Sequence, residues 1–160
     1  MHETFHVTAD RAVNYKTLKE QLPYFLNAND TIVTNLANVS ALLNVYLDDI
    51  NWVGFYLFSG EKLVLGPFQG LPACTEIAIG RGVCGLAAKA RATQIVADVT
   101  TIDNHIFCDP KSRSEIVVPI VKDGELFGVL DVDSPTVGRF TKADQALLED
   151  VVALVVDILP

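Results

Sequence analysis

The chain reads as an α+β domain, with a central antiparallel sheet, N- and C-terminal helices packed on one sheet face, and ligand-covering loops on the other. Three observations predict this. Apolar residues at helical spacing are concentrated towards the two ends. The middle carries short apolar strand patterns instead. Two pairs of these strands are joined by turns too short for a crossover, so each pair is antiparallel.

Taken in order, residues 1–13 read as a weakly specified arm. Leu18, Leu22 and Phe25 recur at helical spacing within 15–26, and Pro23 ends or kinks that pattern. Asp30 is the expected N-cap of a second helix, whose stripe runs through Ile32, Val33, Leu36, Val39, Leu42, Leu43 and Tyr46. From Asn51 the period changes: NWVGFYLF, the turn SGEK and LVLGPF make a hairpin. TEIAI at 75–79 alternates as a third strand, GRGVCGLAAKAR opens with glycines at 80, 82 and 85 before a small-residue helix, and TQIVAD at 93–98 is a further strand. A polar loop then leads into SEIVVPIVKDGELFGVLDVDS, a second hairpin turning at Lys122-Asp123-Gly124. Thr141 begins the last helix, with Asp144 three residues on as its capping partner and an apolar face from Leu147 to Ile158. The pattern implies a single domain over 1–160, with the loops 70–92 and 99–113 covering the sheet face opposite the terminal helices. The stripes of the second and last helices also predict a homodimer through them.

With 160 residues the chain is long enough for a substantial core. Half of its residues are apolar and its mean hydropathy is +0.32. No apolar run reaches the roughly 18 residues that span a bilayer, and MHETFHVTADR lacks a signal-peptide pattern. The expectation is a cytoplasmic protein with no membrane segment. A net charge of −8 argues against nucleic acid or an anionic membrane as partner, since both reward clustered Lys and Arg. Three cysteines is an odd number, unsuited to a disulfide-stapled secreted domain. In a reducing cytosol, disulfides tend to be transient and catalytic or redox-sensing.

Cys74, Cys84 and Cys108 form no CxxC pair. A Cys3His zinc site with His105 would have enough ligands, but the wide spacings lack the close pairs of structural zinc sites, and no metal is expected. A buried Cys is commonly a small hydrophobe, which is the plain reading of Cys74. Cys84 stands where a glycine-rich turn enters a helix, a position that lowers a thiol's pKa and whose N–H groups can hold an anion. GRGVCG matches GxGxxG, but hairpins rather than a βαβ unit surround it, which excludes a dinucleotide site. Asp131 and Asp133 alternate with Leu130 and Val132, so both carboxylates face one side of an otherwise apolar strand. With Glu115 they make an acidic group in which like charges keep one carboxyl protonated near neutrality. Such a cluster can bind an ammonium group and also donate a proton. Trp52 and Tyr56 share a strand face, as core residues or as the apolar wall of a small-molecule pocket.

NWVGFY, LVLGPFQG, GRGVCG, HIFCD, SEIVVPI and GVLDVDS occur in order. In this the chain resembles the free methionine-(R)-sulfoxide reductases, single GAF-domain enzymes, over about residues 15–158. The resemblance implies a GAF-like fold and reduction of free methionine-(R)-sulfoxide by thiol chemistry. It implies that Cys108 in HIFCD is the catalytic cysteine, and that Cys84 and Cys74 resolve its oxidised form, with Cys84 favoured as the first to do so. It implies that Trp52 and Tyr56 enclose the substrate's methyl end, and that Glu115, Asp131 and Asp133 bind its ammonium. The substrate carboxylate would meet N–H groups around Gly82 and Val83, and Glu115 or Asp133 would protonate the sulfoxide oxygen. Electrons would come from thioredoxin or a similar thiol reductant, with no resident cofactor. The rivals from other classes are a small-ligand-sensing GAF module and a thiol redox switch without turnover.

Overall fold

Alternation along each strand decides how this chain divides its apolar residues between two cores. The structure, a computed structural model, describes residues 4–103 and 108–160. Among these, six strands form one antiparallel sheet: β1 (Trp52–Phe58), β2 (Lys62–Gly70), β3 (Glu76–Ala78), β4 (Gln94–Val96), β5 (Ser114–Lys122) and β6 (Glu125–Ser134). Their order across the sheet is β3-β2-β1-β6-β5-β4. The two hairpins expected from the short turns are therefore present, with β1 and β6 paired at the centre. In the second hairpin Asp123 and Gly124 both have positive φ (51° and 79°), as a two-residue turn matching the twist of its strands requires.

Four helices complete the fold: α1 (Arg11–Gln21), α2 (Ile32–Tyr46), α3 (Gly82–Ala90) and α4 (Lys142–Ile158). α1, α2 and α4 cover one sheet face. There Val53, Phe55, Ile116, Val118, Ile120, Leu130 and Val132 meet Leu18, Leu36, Val39, Leu43, Leu148, Val151 and Val155. The opposite face is covered by α3 and the loops around it, where Tyr56, Leu63, Ile77, Val117 and Val129 meet Val83, Cys84, Ala87 and Ala88. This is the α+β arrangement expected, with the helices of the two chain ends together on one side.

Three boundaries differ from the sequence reading. The supposed arm already contains the start of α1, because the Asp10 side chain accepts from Ala12 N and Val13 N while Asn14 bonds both backbone groups of Thr8. α1 ends at Gln21 and gives way to a 3₁₀ turn over Leu22–Phe25, since Pro23 cannot continue it. α2 is capped by Thr31 rather than Asp30: Thr31 Oγ1 accepts from Thr34 N at 3.2 Å, while Asp30 N is used in a turn to Asn27 O. α4 begins as expected, with Thr141 and Asp144 forming a capping box.

Asp144 does more than cap. It accepts from Arg139 Nη1 at 3.0 Å and from the Tyr15 hydroxyl, so α1, α4 and the segment before α4 meet at one buried polar point. Arg139 also bonds Tyr15 and Asp48, which leaves its buried guanidinium well partnered. Among the described residues, no helix is long and apolar enough to cross a membrane. Most of the apolar stripe of α4 is taken up by the chain's own sheet, while Val33 and Val45 of α2 stay exposed.

Candidate active site

The functional face of the sheet is laid out by strand register. Trp52 of β1 lies opposite Asp133 of β6, and Asp133 lies opposite Glu115 of β5. One row across three strands thus carries an aromatic ring and two carboxyls. In the next row Asp131 lies between Gly54 and Val117. All three acids are buried, and among the described residues none of them has a Lys or Arg ion-pair partner.

Burial penalises ionisation, so each of these carboxyls is harder to deprotonate than usual. For Glu115, burial and then the Asp131 and Asp133 charges push the pKa well up. Asp133 is pushed well up by burial and by Asp131. Asp131 is raised from 3.8 to about 6 by burial, held back by hydrogen bonds from its neighbours. The cluster therefore retains a proton where ordinary carboxylates have lost theirs.

Above the carboxyls, β3, α3 and two loops close a cavity lined by Trp52, Tyr56, Pro72, Ala73, Ile77, Arg81, Gly82, Val83, Cys84, Cys108, Asp109, Ser112, Glu115, Asp131 and Asp133. Every residue singled out from the sequence as binding or catalytic is on this wall except Cys74. That cysteine is bonded to Cys108, with their Cα atoms 5.5 Å apart. His105, weighed as a zinc ligand, lies outside the described residues.

The disulfide joins Cys108 to Cys74 and does not include Cys84, the cysteine favoured from the sequence as the first to resolve. Cys84 is instead a free, buried thiol, whose Sγ donates to Glu115 Oε1 at 3.9 Å. Its position in the first turn of α3 was expected to lower its pKa. Burial raises it instead, and the charges of Asp131, Glu115 and Asp133 raise it further. A helix end is worth about 0.3–1 kcal/mol at an exposed site, too little to offset burial beside three acids.

Trp52 and Tyr56 do more than form an apolar wall. Their rings stack with centroids 5.9 Å apart, and Phe68 also stacks on Trp52, at 5.2 Å. Trp52 Nε1 donates to Leu71 O at 3.2 Å and the Tyr56 hydroxyl donates to Cys74 O at 2.9 Å. The aromatic pair thus pins the segment that holds Cys74 against the cavity. At the entrance to α3 the N-cap Arg81 supplies no capping side chain. Gly85 lets this turn fold tightly, since a Cβ there would lie 2.5 Å from Ala78 O.

The sequence reading missed Asn51. Its Nδ2 donates to Asp109 Oδ2 at 2.8 Å and to Ser112 Oγ at 3.0 Å, while Asp109 Oδ1 accepts from Lys111 N. The turn directly after Cys108 is thereby tied to the start of β1. An amide immediately before an aromatic strand was the available signal, but only the partner loop gives it meaning.

The chain matches the model of the GAF domain over residues 27–158. It is 46% identical over 145 residues to the free methionine-R-sulfoxide reductase of Escherichia coli K12, covering 91% of this chain and 88% of the relative. The reduced form of fRMsr of Staphylococcus aureus superposes with a TM-score of 0.88 at 50% identity, covering 92% of this chain and 96% of that one. The free methionine-R-sulfoxide reductase of Neisseria meningitidis, solved in complex with its substrate, gives a TM-score of 0.93 at 40% identity over 99% of this chain and 95% of that one.

Proposed function

The chain belongs to the free methionine-(R)-sulfoxide reductase family of GAF-domain proteins, and from that premise we propose that it reduces free methionine-(R)-sulfoxide to methionine by a Cys108-centred thiol cycle. The observation that carries the mechanism is the Cys74–Cys108 disulfide beside a cavity floored by three buried carboxyls.

In the reduced protein the Cys108 thiolate attacks the sulfoxide sulfur. The oxygen is a poor leaving group, so Glu115 or Asp133 donates a proton to it. The raised pKa of both groups supports this role. Methionine leaves and Cys108 remains as a sulfenic acid. The Cys74 thiol then displaces its oxygen as water and forms the disulfide. The sum is methionine sulfoxide plus two thiols giving methionine, one disulfide and one water.

Cys74 suits the resolving step better than Cys84. Its backbone is held at the cavity by Tyr56, whereas Cys84 is buried and kept protonated. Cys74 and Cys108 are also both partly exposed, which lets an external dithiol such as thioredoxin reach their bond. Such a cycle belongs in a reducing, cytoplasmic setting. The substrate is a zwitterion. Its ammonium would meet the acidic cluster, its methyl end Trp52 and Tyr56, and its carboxylate the start of α3 at Gly82 and Val83.

The test is NADPH oxidation coupled through thioredoxin reductase and thioredoxin with free methionine-(R)-sulfoxide, comparing wild type with Cys108→Ser. Turnover that vanishes in the variant is expected. Turnover that survives would move the nucleophile elsewhere, and no turnover with any thiol reductant would leave a ligand-binding module as the better account.

A further inference from the structure

We propose that the oxidised protein, with Cys74 and Cys108 joined, binds one thiophilic divalent cation of the zinc class through Cys84, Glu115 and Asp131. One potential ligand atom from each of these residues lies within 4.8 Å of the others, and all three residues are buried. Tetrahedral zinc, with bonds of about 2.0–2.3 Å, spaces its ligand atoms roughly 3.3–3.8 Å apart. The Cys84 Sγ to Glu115 Oε1 separation of 3.9 Å is already close to that.

A second observation points to a missing ligand. Asp131 Oδ1 makes no close hydrogen bond among the described residues, and the side chain's weaker interactions are confined to Glu115, Cys84 and Asp133 beside it, although Asp131 is only 5% exposed and lines the cavity. An unpartnered buried carboxylate oxygen is costly, and a cation is the group that removes that cost. The donor set selects the metal class. One thiol with two carboxyls favours zinc or cobalt over magnesium or calcium, which take oxygen ligands alone. Water in the cavity supplies the fourth position. The metal's own charge displaces the Cys84 proton, giving a thiolate ligand and one released proton.

The disulfide matters to the proposal because it leaves Cys84 as the only thiol of three cysteines. On the reading proposed above, the ion would occupy the carboxyls that the substrate's ammonium needs, so zinc would inhibit turnover. That consequence rests on the reading; the binding test does not.

The test is titration of the oxidised full chain with Co²⁺, followed by its thiolate-to-cobalt charge-transfer absorption. Saturation at one equivalent, and bleaching by Zn²⁺, are expected. Cys84→Ser should abolish the band, and Asp131→Asn should weaken cobalt binding by at least about tenfold, with far-ultraviolet circular dichroism confirming that both variants fold. No band, a band that survives Cys84→Ser, or unchanged affinity in Asp131→Asn would overturn the site. Each result stands whether or not the protein turns over methionine sulfoxide.

Discussion

Asp131 costs this protein stability at neutral pH, because burial raises its folded pKa from 3.8 to about 6. The folded state holds a proton that the unfolded chain has already lost between those values. Its contribution to stability is therefore full below about pH 4 and is lost as the pH rises through about 6. Asn cannot ionise, so Asp131→Asn should melt higher than wild type at about pH 8, by about 3 °C for each kcal/mol relieved, with the difference shrinking towards about pH 4. Thermal melts of both proteins across this range check it. The catalytic counterpart concerns Glu115 and Asp133. Of Glu115→Gln and Asp133→Asn, one should lower kcat by about 10²–10⁴-fold and remove the alkaline fall of the pH–rate profile, since a proton donor works only below its pKa. Near wild-type kcat in both variants would exclude the two as donors. The acids were legible in the sequence because alternation put Asp131 and Asp133 on one strand face. The state of Cys84 was not, because its pKa depends on burial beside Glu115 and Asp131, which belong to other elements.

At the scale of elements, the turn into α3 sets how closely Gly82, Val83 and Cys84 approach the sheet. A Cβ on Gly85 would lie 2.5 Å from Ala78 O and 3.0 Å from Gly80 N, both backbone atoms that cannot move cheaply. Gly85→Ala should lower stability by about 1–3 kcal/mol and raise KM for free methionine sulfoxide more than it lowers kcat. A combined melt and steady-state assay reads both. The hairpins were legible because Lys122-Asp123-Gly124 and SGEK leave no room for a crossover. The helix boundaries were less so. The start of α1 depends on Asp10 capping it and on Asn14 bonding Thr8, contacts that apolar periodicity does not register. Likewise Asp30 and Thr31 are both good N-caps, and only the geometry of the Asn27 turn decides between them.

For the whole molecule, the face that holds the helices together and the face that holds the site share the same strands. Val53, Phe55, Leu130 and Val132 anchor one side, while Trp52, Tyr56, Asp131 and Asp133 line the other. Loss of helix docking should therefore reach the site. Asp144→Ala removes a helix cap and the buried carboxylate paired with Arg139, leaving that guanidinium with Asp48 and Tyr15, a change expected to cost about 3–5 kcal/mol. Chemical denaturation checks it, and a loss below about 1 kcal/mol would mean that Asp48 and Tyr15 suffice to hold Arg139. The strand order β3-β2-β1-β6-β5-β4 was not readable from sequence, because β1 pairs with β6 across nearly half of the chain. That pairing brings Trp52 beside Asp133 and, through β5, Glu115. The most direct measurement is a single turnover of fully reduced protein with free methionine-(R)-sulfoxide and no added reductant, followed by peptide mapping of the disulfide and quantification of methionine. One Cys74–Cys108 linkage per methionine formed is the predicted result. Methionine formed with a Cys84–Cys108 linkage, or with no disulfide at all, would contradict the cycle.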